Sequence, residues 1–127
     1  MNYDYVIDSY AWVEYFRGSE QGAAAKEYID NKNCATSSIT IAELSEKYQK
    51  ENKDFEKDFH FIIARTKIIE IDAEIALSAG EINFNNKKNI KNWGMSDSII
   101  LATAKLFNAK VLTGDEHFRS LNSVMIR

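Results

Sequence analysis

Tyr5-Val6-Ile7-Asp8-Ser9-Tyr10-Ala11-Trp12 is the stretch from which the rest of the chain can be read. Three β-favouring residues run into an aspartate. Ser9 then opens a segment in which Trp12, Tyr15 and Phe16 recur at i, i+3 and i+4, the spacing of one helix face. A strand therefore passes into a helix with an acid at the junction. Gly18 ends that helix, and a second is expected from about Glu20 to Asn31. Cys34-Ala35-Thr36 reads as another strand, followed by Ser37-Ser38 as N-cap candidates.

The alternation continues. Ile41, Leu44 and Tyr48 stripe a third helix, and Phe55, Phe59, Ile62 and Ile63 a fourth. Lys67 to Ile71 is a strand candidate, and Asp72 caps a helix carrying Ile75, Leu77, Ile82 and Phe84 that is expected to run to about Lys91. The helix opened by Ser96 is apolar nearly all round, through Ile99, Ile100, Leu101, Ala104 and Phe107, which predicts burial. Val111-Leu112-Thr113 forms a late strand, Gly114-Asp115 a turn, and Val124-Met125-Ile126 a last short run. Strands alternating with helices, without tight hairpin signals, predict an α/β fold with a central mostly parallel sheet and helices on both faces. In such sheets ligands bind beyond the carboxyl ends of the strands, where Asp8 and Asp115 stand.

At 127 residues the chain has the length of one domain. A hydrophobic fraction of 45% and an aromatic fraction of 12% suit a packed core rather than disorder. One cysteine, Cys34, excludes an internal disulfide and paired-cysteine zinc or redox motifs; it is expected to be a small buried apolar residue. No signal peptide or membrane-length apolar run is evident, so a cytoplasmic protein without a membrane partner is expected. A net charge of −3 and a pI near 5.4 argue against broad adhesion to nucleic acid, while leaving room for a local basic rim.

Each acid has two readings. Asp97 lies on the helix side of Ile100, Leu101 and Ala104; a dipole-complementing acid behind an N-cap Ser96 has no reason to face the core, which favours a functional role. Glu43 either closes a capping box with Thr40 or, if Ser37 or Ser38 is the cap, lies a turn further in and faces the crevice. Asp8 and Asp115 could each be plain N-caps, as Asp72 is expected to be. Together they make a different case. Two carboxylates 4 Å apart repel by about 4 kcal/mol at an effective dielectric of about 20, so several on one rim call for protonation, a basic partner or a cation. A few carboxylates, with no His or Cys, are the ligand set expected for Mg2+.

Val-Ile-Asp8-Ser-Tyr-Ala, Ile-Thr-Ile-Ala-Glu43-Leu, Met-Ser-Asp97-Ser-Ile-Ile-Leu-Ala-Thr-Ala and Val-Leu-Thr113-Gly-Asp115-Glu-His-Phe, in this order, resemble the motifs of the PIN-domain nucleases. Among these the likeness is to the VapC-type toxins of prokaryotic toxin–antitoxin pairs. It covers essentially the whole chain, residues 1–127, as a single PIN-like domain. The resemblance implies that Asp8, Glu43, Asp97 and Asp115 are catalytic and bind Mg2+ or Mn2+, with Ser9 and Thr113 as supporting hydroxyls. It implies hydrolysis of RNA to 5′-phosphate and 3′-hydroxyl ends, a homodimer, and inhibition by a small antitoxin lying across the groove. Where the family often has Thr-Ser after its first Asp, this chain has Ser9-Tyr10.

Possible RNA contacts are Lys87, Lys88 and Lys91, shortly before Asp97, with Arg17, Arg119 and Tyr10 as further candidates. The lysines could equally complement a helix C-terminus. Lys47 and Lys50 read as solvated partners of Glu43 and Glu46. Trp93 is assigned to packing and His60 to the surface, and a general-base role for His117 is the minority reading. Receiver domains and aspartyl-phosphate phosphatases also carry acids on a parallel-sheet rim. The phosphatase needs an Asp where Tyr10 stands, and Val111-Leu-Thr-Gly-Asp lacks the receiver's lysine. A housekeeping RNA-processing nuclease and a non-catalytic RNA- or protein-binding module are the remaining alternatives.

Overall fold

A computed structural model describes residues 2–126. Strand β1 (Tyr5–Ile7) leads into helices α1 (Ser9–Arg17) and α2 (Glu20–Asn31), then β2 (Cys34–Ser37), α3 (Ser38–Lys50), α4 (Glu56–Arg65) and β3 (Lys67–Ile69). Helices α5 (Ala73–Asn86) and α6 (Met95–Leu106) follow, then β4 (Lys110–Thr113), a short 3-10 turn at Glu116–Phe118 and β5 (Ser123–Met125). The sheet order is β3-β2-β1-β4-β5, and every pairing is parallel. The expected mostly parallel α/β sheet is therefore wholly parallel among the described residues. Winding reverses between β1 and β4, and the crevice of a doubly wound sheet opens at that switch point.

Side-chain alternation along the strands separates two cores. Val6, Ala35 and Val111 face Ile100, Leu101 and Ala104 of α6, together with Trp93 and Phe118. Their neighbours Ile7, Cys34 and Leu112 join Ala11, Trp12, Ala25, Ile29, Leu44 and Ile62 from α1 to α4. Helices thus cover both faces. Trp12 is fully buried, and its Nε1 donates to Thr36 Oγ1 at 3.2 Å, which satisfies the indole in the core.

Helix α1 ends at Gly18 with φ of 69°, whose N–H reaches the carbonyls of Glu14 and Tyr15. Glycine adopts this left-handed geometry without the Cβ penalty of other residues. Ser19 caps α2 by accepting from Gly22 N at 3.0 Å, so the two helices double back on each other. A Cβ at Gly22 would overlap the Glu14 carbonyl. Gly22→Ala should therefore destabilise the fold by about 1–3 kcal/mol through overpacking, despite alanine's better helix propensity. A rise in the urea midpoint of this variant would contradict the close helix contact.

Three local expectations need correction. Helix α5 stops at Asn86 rather than near Lys91, and the chain turns with Asn92 at φ of 63°, a conformation asparagine tolerates. Leu77 and Phe84 on that helix are 71% and 68% exposed, and Ile63 of α4 is also exposed; Ile75 and Ala79, with Ile82 beside them, carry the buried face. Helix α6 is capped by Gly94, not by Ser96.

Candidate active site

Asp8 extends β1 by one residue, its N–H donating to Leu112 O at 3.0 Å, and then caps α1. One carboxylate oxygen accepts from Ser9 N at 2.8 Å. The other accepts from Thr113 Oγ1 at 2.7 Å. Asp8 is only 5% exposed, and burial pushes its carboxyl up to about 7 against the pull of the Thr113 and Ser9 hydrogen bonds, with Glu43 and Asp115 adding repulsion.

Thr113 closes β4 fully buried. Its hydroxyl, while donating to Asp8, accepts from Asp115 N at 2.9 Å, so one atom ties the first acid to the fourth. Asp115 in turn accepts from His117 N at 2.9 Å and so caps the 3-10 turn. The glycine between them is required by packing: a Cβ on Gly114 would overlap the Tyr10 ring. Tyr10 is thus seated against the β4 loop, at the edge of the same cleft.

Ser37 is the cap of α3, which places Glu43 a turn inside the helix. The capping box with Thr40 does not form. Glu43 instead faces the hydroxyls of Ser96 and Ser9, and its carboxyl is raised, first by burial and then by Asp97 and Asp115. At the start of α6, Asp97 accepts from Gly94 N at 3.0 Å, bracing the helix terminus. The same oxygen lies 3.2 Å from His117 Nδ1. Its carboxyl is also raised by burial, with Gly94 and His117 opposing and Asp115 repelling.

The four acids come from four separate elements and line one cleft of about 350 Å³ at the switch point, together with Ser9, Tyr10, Val13, Glu14, Arg17 and Lys47. Among the described residues none of the four is ion-paired with a lysine or arginine. Arg17 pairs with Glu14 at 3.2 Å and Lys47 with Glu51, not Glu43, at 2.7 Å. An oxygen-rich, self-repelling set of this kind has the chemistry of a hard divalent cation's ligands.

Lys87, Lys88 and Lys91 do not line the cleft. Lys87 caps the end of α5, and the Lys88 ammonium sits 4.2 Å over the Phe84 ring. Among the described residues, the lysine and arginine that line the cleft are Lys47 and Arg17, the first of which the sequence had assigned to solvent. Trp93 is a core residue whose Nε1 donates to Ser98 Oγ at 2.7 Å, and Arg119 is paired with Glu116. His117, set aside in the sequence, is in the site; its nearness to Asp115 in the chain was the available signal.

A wholly parallel doubly wound sheet with carboxylates gathered at its switch point defines an acidic-cleft α/β domain. The chain belongs to the PIN domain family, whose model matches residues 5–123. Comparison with curated proteins finds no match. Among solved structures it resembles a toxin–antitoxin complex from Klebsiella pneumoniae, with a TM-score of 0.79 and 22% identity over 98% of both chains. It also resembles VapBC2 from Rickettsia felis, bound to a DNA fragment from its promoter, with a TM-score of 0.75 and 22% identity over 95% of this chain and 96% of that one. A third is VapC20 from Mycobacterium tuberculosis, a sarcin-ricin loop cleaving toxin, with a TM-score of 0.76 and 14% identity over 98% of this chain and 99% of the other.

Proposed function

We propose that this protein is a divalent-metal-dependent endoribonuclease and the toxin of a toxin–antitoxin pair. The observation that carries this is the convergence of Asp8, Glu43, Asp97 and Asp115 on one cleft, with burial disfavouring the charged form of the first three. A binding surface for an anionic polymer gains nothing from four such acids, whereas phosphodiester hydrolysis does. These residues would hold Mg2+ or Mn2+, which when bound neutralises charge on the phosphate and makes water a better nucleophile.

The chain's own groups supply the rest. Thr113 holds Asp8 and Asp115 in register. Ser9 and Ser96 orient the Glu43 carboxylate, and the rise in its proton affinity from burial and the neighbouring acids suits it to take a proton from attacking water. Arg17 and Lys47 line the same cleft and would supply positive charge to the phosphates of a bound RNA. The toxin assignment is supported by the similar structures: one is a toxin–antitoxin complex and another a sarcin-ricin loop cleaving toxin. A small antitoxin across the cleft, a homodimer and a cytoplasmic setting belong to the same proposal.

The decisive experiment incubates purified protein with a total small-RNA pool and Mg2+ or Mn2+, beside EDTA and Asp97→Asn controls. Discrete fragments that vanish in both controls are expected. A folded protein that neither cleaves nor takes up Mn2+ by calorimetry would return the four acids to helix capping. Lys47→Ala and Arg17→Ala should each weaken RNA binding and lower the salt slope by about one. Alanine at Lys87, Lys88 and Lys91 together should matter less; the reverse ranking in filter binding would move the RNA path to α5.

A further inference from the structure

We propose that His117 is a nitrogen donor to the cation held by Asp97 and Asp115, so that this side of the cleft prefers a transition ion such as Mn2+ or Co2+ over Mg2+. The inference rests on the metal-dependent reading above and adds a ligand and a selectivity to it. His117 Nδ1 lies 3.2 Å from Asp97 Oδ2 and 3.6 Å from Asp115 Oδ1. One donor atom from each of the three residues falls within 4.8 Å of the others. Adjacent ligands around a six-coordinate ion with bonds of about 2.1 Å stand about 3 Å apart, which is close to the spacing of His117 Nδ1 and Asp97 Oδ2, and a small side-chain rotation of Asp115 would bring in the third donor.

The imidazole is held there by its surroundings. The backbone N–H of His117 is bonded to Asp115, and the ring stands 6.4 Å from the ring of Trp93, itself fixed in the core by Ser98. The side chain is 27% exposed, open enough to exchange a hydrogen bond with Asp97 for a metal bond. Asp97 keeps its bond from Gly94 in either case, so the carboxylate need not move. Imidazole nitrogen is a softer donor than carboxylate oxygen. Mg2+ demands oxygen and holds its waters, while Mn2+ and Co2+ accept mixed nitrogen and oxygen sets.

Pulsed electron paramagnetic resonance of the Mn2+-loaded protein reads this directly, because a coordinated imidazole imprints nitrogen modulation on the manganese echo. The chain has two histidines, which allows assignment. Modulation is expected in the wild type and in His60→Gln, and should be lost in His117→Gln while Mn2+ still binds. By calorimetry, His117→Gln should weaken Mn2+ by about tenfold or more and Mg2+ by clearly less. Manganese binding without nitrogen modulation would overturn the ligand role of His117 and leave the carboxylate site standing. Modulation that disappears in His60→Gln would place the ion elsewhere and overturn it too. Failure of the wild type to bind Mn2+ would overturn both this inference and the metal-dependent reading.

Discussion

Asp8→Asn is expected to abolish cleavage and, in the absence of divalent metal, to make the protein more stable at pH 8. Both effects come from one buried carboxylate. In the unfolded chain this group has its ordinary value of 3.8, and in the folded protein burial raises it to about 7. The folded state therefore holds the proton more tightly. Its favourable contribution is whole below pH 4, shrinks as pH rises through the interval, and is gone above pH 7, a span of about 4 kcal/mol. A carboxamide carries no charge to bury at any pH. It loses one acceptor for the Ser9 or Thr113 donor, a cost of about 1–2 kcal/mol, so the net gain at pH 8 is about 2 kcal/mol. At pH 5 the wild-type carboxyl is largely protonated and the gain should be small or reversed. Urea unfolding in EDTA at both pH values, wild type against variant, isolates this one group. Mn2+ at a hundredfold excess over its Kd should stabilise the wild type at pH 8 by about 2.7 kcal/mol and the variant far less. Cleavage should fall by about a thousandfold or more, since losing a ligand removes several kcal/mol of charge stabilisation. A variant equally stable at both pH values and still active would remove Asp8 from the site.

The sheet and its rim were legible in the sequence because each strand announces itself locally. Tyr5-Val6-Ile7 runs into Asp8, and Leu112-Thr113 into Gly114-Asp115, so the local sequence alone places both acids at strand ends. The bounds of α2 and the cap at Asp72 were equally local. What the sequence hid depends on which surfaces meet. Leu77 and Phe84 look like core by composition, yet they project away from the face of α5 that packs on α6. His117 reaches Asp97 across 20 positions of sequence, because the β4 loop and the α6 N-terminus converge at the switch point; no periodicity records that meeting. Lys47 lines the cleft while Lys87, Lys88 and Lys91 do not for the same reason, since distance along the chain to an acid does not give distance across the cleft. Glu43 shows the intermediate case: its two readings were separated by a single local fact, that Ser37 caps α3.

Thr113→Val should lower both stability and activity, the opposite pairing to Asp8→Asn, and it tests whether the acids are positioned as a unit. The Thr113 hydroxyl donates to Asp8 at 2.7 Å and accepts from the Asp115 N–H at 2.9 Å, in a place with no access to solvent. Valine fills nearly the same volume but leaves a buried carboxylate oxygen without its donor and a peptide N–H without its acceptor. Each orphan costs about 1–3 kcal/mol, so a loss of about 2–4 kcal/mol is expected at pH 8, where Asp8 is ionised and the missing donor matters most. The carboxyl of Asp8 should then hold its proton to still higher pH, moving the acid limb of the activity profile upward. With the Asp115 loop untethered, misplacement of about 1 Å would reduce cleavage by about a hundredfold. Thr113→Ser keeps the hydroxyl and should recover most of both properties. Equal damage from serine and valine would show that the methyl packing, not the hydrogen bonds, is what Thr113 contributes. Adding Thr113→Val to Asp8→Asn should cost less stability than in the wild-type background, because the oxygen it orphans is no longer a buried charge. Strict additivity in that double-mutant cycle would break the proposed link from Thr113 to Asp8.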